Sequence, residues 1–213
     1  QTSNSFLMVP LRSIQQGNIN PKHVDEVVEV LENGGVIIYP TDTVYAMGCL
    51  SNQPKAIARL AKLKGIKMEK SRFSFLFKDI SDLSAYVKPI DTPTFKLLNK
   101  CLPGPYTFLL PAVKKLPKPF DKRKRIGIRI VAFSFINHLL EKLSAPLITT
   151  SIHHEDAVVA YETNPNAIYE MWCDSIDYMV EMGYGGNQPS TVIDLSIVPF
   201  KVLRKGKGSS DVV

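Results

Sequence analysis

Small polar side chains come next to apolar stretches at three places in the sequence. The clusters are Thr41-Asp42-Thr43, Thr149-Thr150-Ser151 and Ser190-Thr191. Ligands of open α/β sheets bind in the crevice at the carboxyl ends of strands, where such hydroxyl and carboxylate groups can hydrogen bond to them. The pattern therefore favours a site for a small polar ligand. A strand that simply ends in a turn stabilised by Thr and Asp side chains has the same local pattern.

Two arginines occur within apolar runs, where an unpaired charge is costly. Arg129 lies inside one such run and Arg204 lies at the end of another. Each guanidinium therefore needs an anionic partner. An internal carboxylate such as Asp42 or Asp194 would serve, and so would a bound carboxylate or phosphate, since the planar guanidinium can donate paired hydrogen bonds to either group.

The sequence contains none of the common catalytic or phosphate-binding motifs. There is no P-loop, no G-x-G-x-x-G, no G-x-S-x-G and no H-E-x-x-H. Cys49, Cys101 and Cys173 are far apart and form no pair at metal-binding spacing. We therefore predict no metal site, reduced cysteines within the core and a cytoplasmic location.

Composition indicates a globular chain with an anionic partner. The 213 residues are 45% hydrophobic and 22% charged, with a net charge of +6, which favours nucleotide phosphates, RNA or both. No apolar run approaches the roughly 20 residues needed to span a bilayer, so no membrane association is expected. Much of the excess charge lies in residues 114–125, which we interpret as either a solvated basic loop or a lid over an anionic substrate.

Predicted helices and strands alternate along the chain without a linker, a repeat or a change in composition. Strands are predicted at residues 6–10, 36–39, 73–77, 106–112, 126–131, 146–151, 176–180, 191–195 and 199–204. Helices are predicted at residues 21–33, 54–64, 79–86, 93–102, 134–143 and 164–172, with Phe95 and Leu98 facing the core in the fourth. This order indicates a single α/β domain with a mixed sheet. We assign residues 1–20 to a lead-in segment, 21–206 to the domain and 207–213 to a polar tail.

Six segments, in order and over nearly the whole chain, resemble the threonylcarbamoyl-AMP synthase family of YrdC/YciO-type proteins. They are GGVIIYPTDTVYAMGC (34–49), LPGPYTFLL (102–110), IGIRI (126–130), PLITTS (146–151), QPSTVIDL (188–195) and VLRKG (202–206). Two positions depart from the synthase pattern. Ile66 stands where the K-x-R motif has Arg, and His153 stands where the S-x-N motif has Asn. In both respects the chain is closer to the YciO-type branch.

The resemblance implies a twisted open mixed sheet, flanked by helices, around a large basic concavity. It also implies a reaction in which L-threonine, bicarbonate and ATP, with Mg²⁺ on the nucleotide, give L-threonylcarbamoyladenylate and pyrophosphate. A threonylcarbamoyl-transfer protein would then pass the group to adenosine at position 37 of tRNA. Such a reaction depends on positioning and on neutralising phosphate charge, and it needs no protein nucleophile.

The resemblance also implies roles for individual residues. The threonine-binding residues would be Thr41, Arg129, Thr149 and Ser190. The nucleotide-binding and catalytic residues would be Lys64, Ser151 and Arg204. Where Ile66 replaces Arg, the missing cation could come from Lys62, Lys67, Lys70 or Arg72.

A binding protein is the alternative to an enzyme. In that interpretation, the basic concavity holds a nucleotide, tRNA or another RNA, double-stranded RNA included, without forming the adenylate. Net positive charge does not separate the two, because both ligands are polyanions. The clusters at Thr41, Arg129 and Ser190 favour the enzyme, since a small amino acid needs them and an RNA backbone does not.

Overall fold

The structure, a computed structural model, describes residues 8–153 and 161–213, which form a ten-stranded sheet with five α-helices. The strands are β1 (Leu11–Ser13), β2 (Ile37–Tyr39), β3 (Ala46–Leu50), β4 (Ser74–Leu76), β5 (Tyr106–Pro111), β6 (Arg125–Arg129), β7 (Leu147–Ser151), β8 (Tyr178–Glu181), β9 (Thr191–Asp194) and β10 (Lys201–Arg204). The helices are α1 (Pro21–Glu32), α2 (Pro54–Leu63), α3 (Thr92–Cys101), α4 (Ser134–Lys142) and α5 (Pro165–Trp172). Two short 3-10 helices span Met68–Lys70 and Ile80–Ala85.

The sheet is open and mixed, with the strand order β1-β8-β2-β3-β7-β4-β6-β5-β9-β10. Parallel pairs are β1–β8, β2–β8, β4–β6 and β5–β9, and the other neighbours are antiparallel. This confirms the single α/β domain with a mixed sheet flanked by helices.

Helix α1 shows how local sequence signals fix an element beside the sheet. Asn20 caps its first turn by accepting a hydrogen bond from Lys22 N, and Pro21 occupies the first helical position, where no N–H is needed. Val27 and Leu31 lie on one stripe and are fully buried. The chain leaves the helix through Gly34, whose φ of +83° is a conformation that glycine adopts readily.

Helices cover the two faces of the sheet to different extents. Alternate residues of a strand point to opposite faces. On the first face, α2, α3 and α5 pack against a core that includes Met47, Phe108, Ile128, Ile148 and Met179. On the second face, α1 and α4 pack against a core that includes Ile37, Tyr39, Leu76, Leu147 and Tyr178.

The second face is only partly covered. Across β7, β4, β6, β5 and β9 its residues line a cavity to which no described α-helix contributes a residue. The helices therefore bury one end of this face and leave the other end as a concave surface. No described helix is long and apolar enough to span a bilayer.

Most predicted elements are present, with three differences. Strand β3 was not predicted from sequence, although all five of its residues are buried. The predicted inward orientation of Phe95 is wrong: the residue is 47% exposed, and Leu97, Leu98 and Cys101 form the buried side of α3. For the strand predicted at 6–10, residues 1–7 lie outside the described residues, and β-pairing begins at Leu11.

The proposed division of the chain stays a prediction. Within the lead-in segment, β1 pairs with β8 as part of the same sheet. Within the polar tail, Gly208 is buried, and the Ser209 carbonyl accepts a hydrogen bond from the Tyr106 hydroxyl at 3.1 Å. Both terminal segments therefore pack on the domain.

Thiol reactivity is expected to follow burial. All three cysteines are unpaired, and burial raises the pKa of the Cys49 thiol to about 12 and also raises that of Cys101. Both thiols therefore stay protonated at pH 8, and we expect an alkylating reagent to label the partly exposed Cys173 first. Mass mapping of peptides after timed labelling checks this order. Labelling of Cys49 in the native protein as fast as in denaturant would contradict it.

Candidate functional site

The cavity on the uncovered part of the sheet has a volume of about 710 Å³. Its sheet residues are Ala46, Ser74, Thr107, Leu109, Arg125, Gly127, Arg129, Thr149, Ser151, Val192 and Leu203, among others. Loop residues that complete it include Thr43, Arg72, Phe120, Arg123, His153, Tyr161 and Ser190.

Strand register brings small residues together in the lining of the cavity. Ser74 on β4 pairs with Thr149 on β7 and with Gly127 on β6, so three small residues lie in one row across the sheet. We call Thr149, Ser74 and Gly127 the small-residue row. A Cβ at Gly127 would lie 2.9 Å from Ser74 Oγ, closer than real Cβ contacts. Because these side chains are small, the row leaves open space that larger side chains would fill.

The cavity is strongly basic. Five arginines line it, namely Arg72, Arg123, Arg125, Arg129 and Arg204, and no Asp or Glu is among its described lining residues. Two of these arginines form ion pairs with carboxylates that are not among the lining residues. Arg125 forms an ion pair with Asp194, whose side chain is 2% exposed, and Arg129 pairs with Asp42. An anionic ligand would meet guanidinium groups on several sides.

Arg129 is the most enclosed of these cations, with a side chain 9% exposed. Its Nη2 donates to Asp42 Oδ1 at 2.6 Å, its Nη1 to Thr43 Oγ1 at 3.3 Å and its Nε to the Tyr106 carbonyl at 3.4 Å. The sequence left open whether the partner would be internal or bound, and the structure supplies Asp42. A guanidinium has five N–H groups, so two remain for a ligand after these three contacts.

Thr41 and Thr43 have different roles in the loop after β2. Thr41 Oγ1 donates to the Val44 carbonyl at 2.6 Å and accepts from Thr43 N at 3.1 Å, which stabilises the turn. Thr43 lines the cavity, whereas Thr41 is not among the lining residues. The two hydroxyl oxygens are 3.1 Å apart. Threonine binding by Thr41 stays a prediction, and Thr43 is the residue of this loop that borders the cavity.

Ser190 and Arg204 lie together at the other side of the cavity. The Arg204 guanidinium donates to the Ser190 carbonyl from Nη2 at 2.8 Å and to Ser190 Oγ at 3.2 Å. Ser190 Oγ also lies 2.7 Å from Thr107 Oγ1 on β5. These contacts fix the Ser190 hydroxyl within a lining of polar groups.

Thr149 is oriented by a buried tyrosine. The Tyr39 hydroxyl donates to Thr149 Oγ1 at 2.5 Å, and burial raises the Tyr39 pKa well above its ordinary value. Tyr39 therefore keeps its proton and remains a donor at neutral pH. Gly48, on the strand next to β2, leaves room for this ring, because a Cβ there would lie 2.9 Å from the Tyr39 hydroxyl oxygen.

Lys64 supports the end of β7. Its ammonium is buried and donates to the backbone carbonyls of Ser151, at 2.7 Å, and of His153. Ser151 and His153 line the cavity, while Lys64 is not among the lining residues. Ile66 packs against the core. The structure thus brings together Arg129, Thr149, Ser151, Ser190 and Arg204 of the predicted site residues, with Thr41 and Lys64 directly behind them.

The loop with Gly185 and Gly186 and the segment with Lys207 pack closely against the loop that carries Thr43. A Cβ at Gly186 would lie 2.0 Å from the Thr43 carbonyl oxygen, and one at Gly185 would lie 2.6 Å from the Tyr45 ring. From the other side, Lys207 Nζ donates to the Asp42 carbonyl at 2.5 Å. The loop that carries Thr43 is therefore held from both sides.

Sequence reasoning missed several lining residues. Thr43 was noted only as part of a cluster, and Ser74, Thr107 and Gly127 were not singled out. Their signal is alternation, because each small residue precedes a large apolar one that points to the opposite face: Phe75, Phe108 and Ile128. Among the described residues, no group of three or more His, Cys, Asp or Glu could hold a metal ion.

Comparisons with known proteins show which family the chain resembles. The model of the Sua5/YciO/YrdC family, described as "Telomere recombination", matches residues 29–206. The uncharacterized protein YciO of Escherichia coli (strain K12) is 33% identical over 197 residues, which cover 92% of this chain and 94% of YciO. A threonylcarbamoyl-AMP synthase of Coxiella burnetii (strain RSA 331 / Henzerling II) is 30% identical over 133 residues, 62% of this chain and 71% of the synthase.

Solved structures show the same fold. The crystal structure of E. coli YciO has a TM-score of 0.87 at 32% identity and covers 96% of this chain and 99% of its own. The crystal structure of P. abyssi Sua5 complexed with L-threonine has a TM-score of 0.82 at 22% identity, covering 92% of this chain and 57% of its own. From the extent of the family match and of the YciO alignment, this chain is a member of the Sua5/YciO/YrdC family and lies close to its YciO branch.

Proposed function

We propose that the protein forms L-threonylcarbamoyladenylate from L-threonine, bicarbonate and ATP, as a donor for threonylcarbamoylation of tRNA by a partner protein. The observation that carries the proposal is Arg129, a buried guanidinium that borders the cavity with two N–H groups to spare. Two relatives support the proposal: the threonylcarbamoyl-AMP synthase of C. burnetii, and P. abyssi Sua5, whose crystal structure contains L-threonine.

The amino-acid end of the ligand would lie beside Arg129. Its spare N–H groups suit a carboxylate, and the Thr43 and Ser190 hydroxyls offer hydrogen bonds at the same cavity. The Arg129 charge is balanced by Asp42, and the Thr43 and Ser190 hydroxyls are uncharged. Thr149 would add a backbone contact, and Thr41 would act through the turn that it stabilises.

The reaction would have two steps. The threonine amine would bond to the carbon of bicarbonate, and water would leave, to give threonine carbamate. An oxygen of this carbamate would then bond to the α-phosphorus of ATP, the bond from that phosphorus to the bridging oxygen would break, and pyrophosphate would leave with the bridging oxygen. The chain's contribution is to orient the carbamate and to neutralise phosphate charge with the cavity's arginines, including Arg204 near Ser190. Ser151 would hold the nucleotide at the end of β7.

Mg²⁺ would belong to the nucleotide. Without a carboxylate among the described lining residues, the phosphates themselves are the ligands that fit the ion here. Bound to ATP, the ion would supply further neutralisation of phosphate charge.

A pyrophosphate-release assay on purified protein tests the proposal. With ATP, Mg²⁺, L-threonine and bicarbonate we expect pyrophosphate release that falls to background when threonine or bicarbonate is omitted. Mass spectrometry should show threonylcarbamoyladenylate in the same mixture. Release that is independent of threonine would contradict the proposal.

The alternative is a nucleotide- or RNA-binding member of the family. The positions of Lys64 and Ile66 favour it, because neither residue lines the cavity as the K-x-R pair of a synthase would be expected to do. Tight binding of ATP or RNA with no threonine-dependent pyrophosphate would support this alternative against the synthase.

A further inference from the structure

Because Ile66 stands where the K-x-R motif has Arg, another cation would have to bind the polyphosphate of the nucleotide. Among the four candidates named from the sequence, Lys62, Lys67, Lys70 and Arg72, only Arg72 lines the cavity. Its side chain is exposed and makes no hydrogen bond or ion pair with residues 8–153 and 161–213. The other four cavity arginines each donate to a protein oxygen.

Strand register places Arg72 beside residues already assigned to the site. Ser74 on β4 pairs with Thr149 on the antiparallel β7 and with Gly127 on the parallel β6. Strand β4 begins at Ser74, and extending its register back by two residues would put Arg72 level with Ser151 on one side and Arg125 on the other; all three line the cavity. Residues two apart share a face of an extended chain, so Arg72 faces the cavity as Ser74 does.

The backbone before Arg72 is fixed by another arginine. Arg123 donates from Nη1 to the Ser71 carbonyl at 2.9 Å and from Nη2 to the Met68 carbonyl at 2.8 Å and to Ser71 Oγ at 2.9 Å. These bonds join the basic loop of residues 114–125 to the segment that carries Arg72. The loop thus has a structural partner, and Arg72 projects from an anchored backbone.

We propose that Arg72 is the residue that binds the polyphosphate of the nucleotide in this chain, and that Arg123 positions it. The assignment rests on the proposed function, since it names the group that would take the place of the K-x-R arginine. The guanidinium gives Arg72 a bidentate fit to phosphate oxygens that a lysine ammonium lacks.

Isothermal titration calorimetry with Mg·ATP and with sodium tripolyphosphate tests the assignment. Arg72→Ala should lower the binding affinity for both ligands roughly 10- to 100-fold, because one charge-assisted hydrogen bond to phosphate is lost. Lys70→Ala is the matched control, because it removes the same charge from the same segment at a residue that does not line the cavity. We expect the affinity of Lys70→Ala for both ligands to change by less than about threefold, because salt screens a surface charge that does not contact the ligand. Denaturant midpoints of both variants should match that of the wild type.

The outcomes separate this assignment from the synthase proposal. Equal affinities for Arg72→Ala, Lys70→Ala and wild type would overturn the assignment and leave the synthase proposal standing. Arg72-dependent binding without threonine-dependent pyrophosphate release would support the assignment and overturn the synthase proposal. A wild type that binds neither ATP nor tripolyphosphate would overturn both.

Discussion

Replacing Arg129 with Ala is expected to weaken L-threonine binding by about 2–4 kcal/mol and to lower the free energy of unfolding by about 3–5 kcal/mol. The binding loss follows from removing the guanidinium that would hold the amino acid's carboxylate. The stability loss follows because Asp42, only 11% exposed, would keep a buried charge without its partner. Calorimetry with threonine and urea denaturation measure the two effects.

Asp42→Asn separates the two roles of this pair. Its amide oxygen can still accept from Arg129 Nη2, and the guanidinium that would bind the ligand is retained. We therefore expect a smaller stability loss than in Arg129→Ala, with threonine binding preserved within about tenfold, since a neutral hydrogen bond replaces a charge-assisted one. Unchanged threonine affinity in a folded Arg129→Ala protein would remove Arg129 from the amino-acid site.

Gly186→Ala is expected to lower the rate of threonine-dependent pyrophosphate release strongly. A Cβ at this position would lie 2.0 Å from the Thr43 carbonyl oxygen, and a backbone atom cannot rotate away as a flexible side chain can. The loop with Thr43 must shift, and Thr43 Oγ1 moves with it from its place 3.3 Å from Arg129 Nη1. A displacement of about 1 Å at such a site can cost on the order of 100-fold in rate. Threonine-dependent pyrophosphate release measures the loss.

Asn187→Ala is the matched control for this loop, because it changes the next residue, which is exposed. We expect its activity to stay within about twofold of wild type, as for most surface substitutions. If Gly186→Ala retained full activity, the close contact with Thr43 would not matter for the site.

The elements with strong periodic signals could be predicted from the sequence. Asn20, Pro21 and the Val27/Leu31 stripe are local signals that together define α1, and apolar runs define most strands. Strand β3 could not be predicted in this way. Its residues Ala46–Leu50 follow β2 after a short loop and are buried on both faces, so polar and apolar residues do not alternate along it. Phe95 was predicted to face the core together with Leu98, whereas the buried side of α3 is formed by Leu97, Leu98 and Cys101.

The sequence indicates which residues belong to the site more readily than it indicates what each of them contacts. The cost of burying charge pointed to Arg129 and to a carboxylate such as Asp42, and the structure joins these two. Which of Thr41 and Thr43 faces the cavity depends on the turn's hydrogen bonds, which residue types alone do not specify. The carbonyl contacts of Lys64 and the position of Arg72 depend on how distant segments pack.

The half-covered sheet has an evolutionary consequence. On β5, β6 and β7 a residue that borders the cavity alternates with one buried under the opposite helices: Thr107 with Phe108, Gly127 with Ile128 and Thr149 with Ile148. Mutations at the first kind of position can retune what the protein recognises, while the second kind preserves its folding. A single scaffold can thus diverge in chemistry through substitutions spaced two residues apart, without rebuilding its interior.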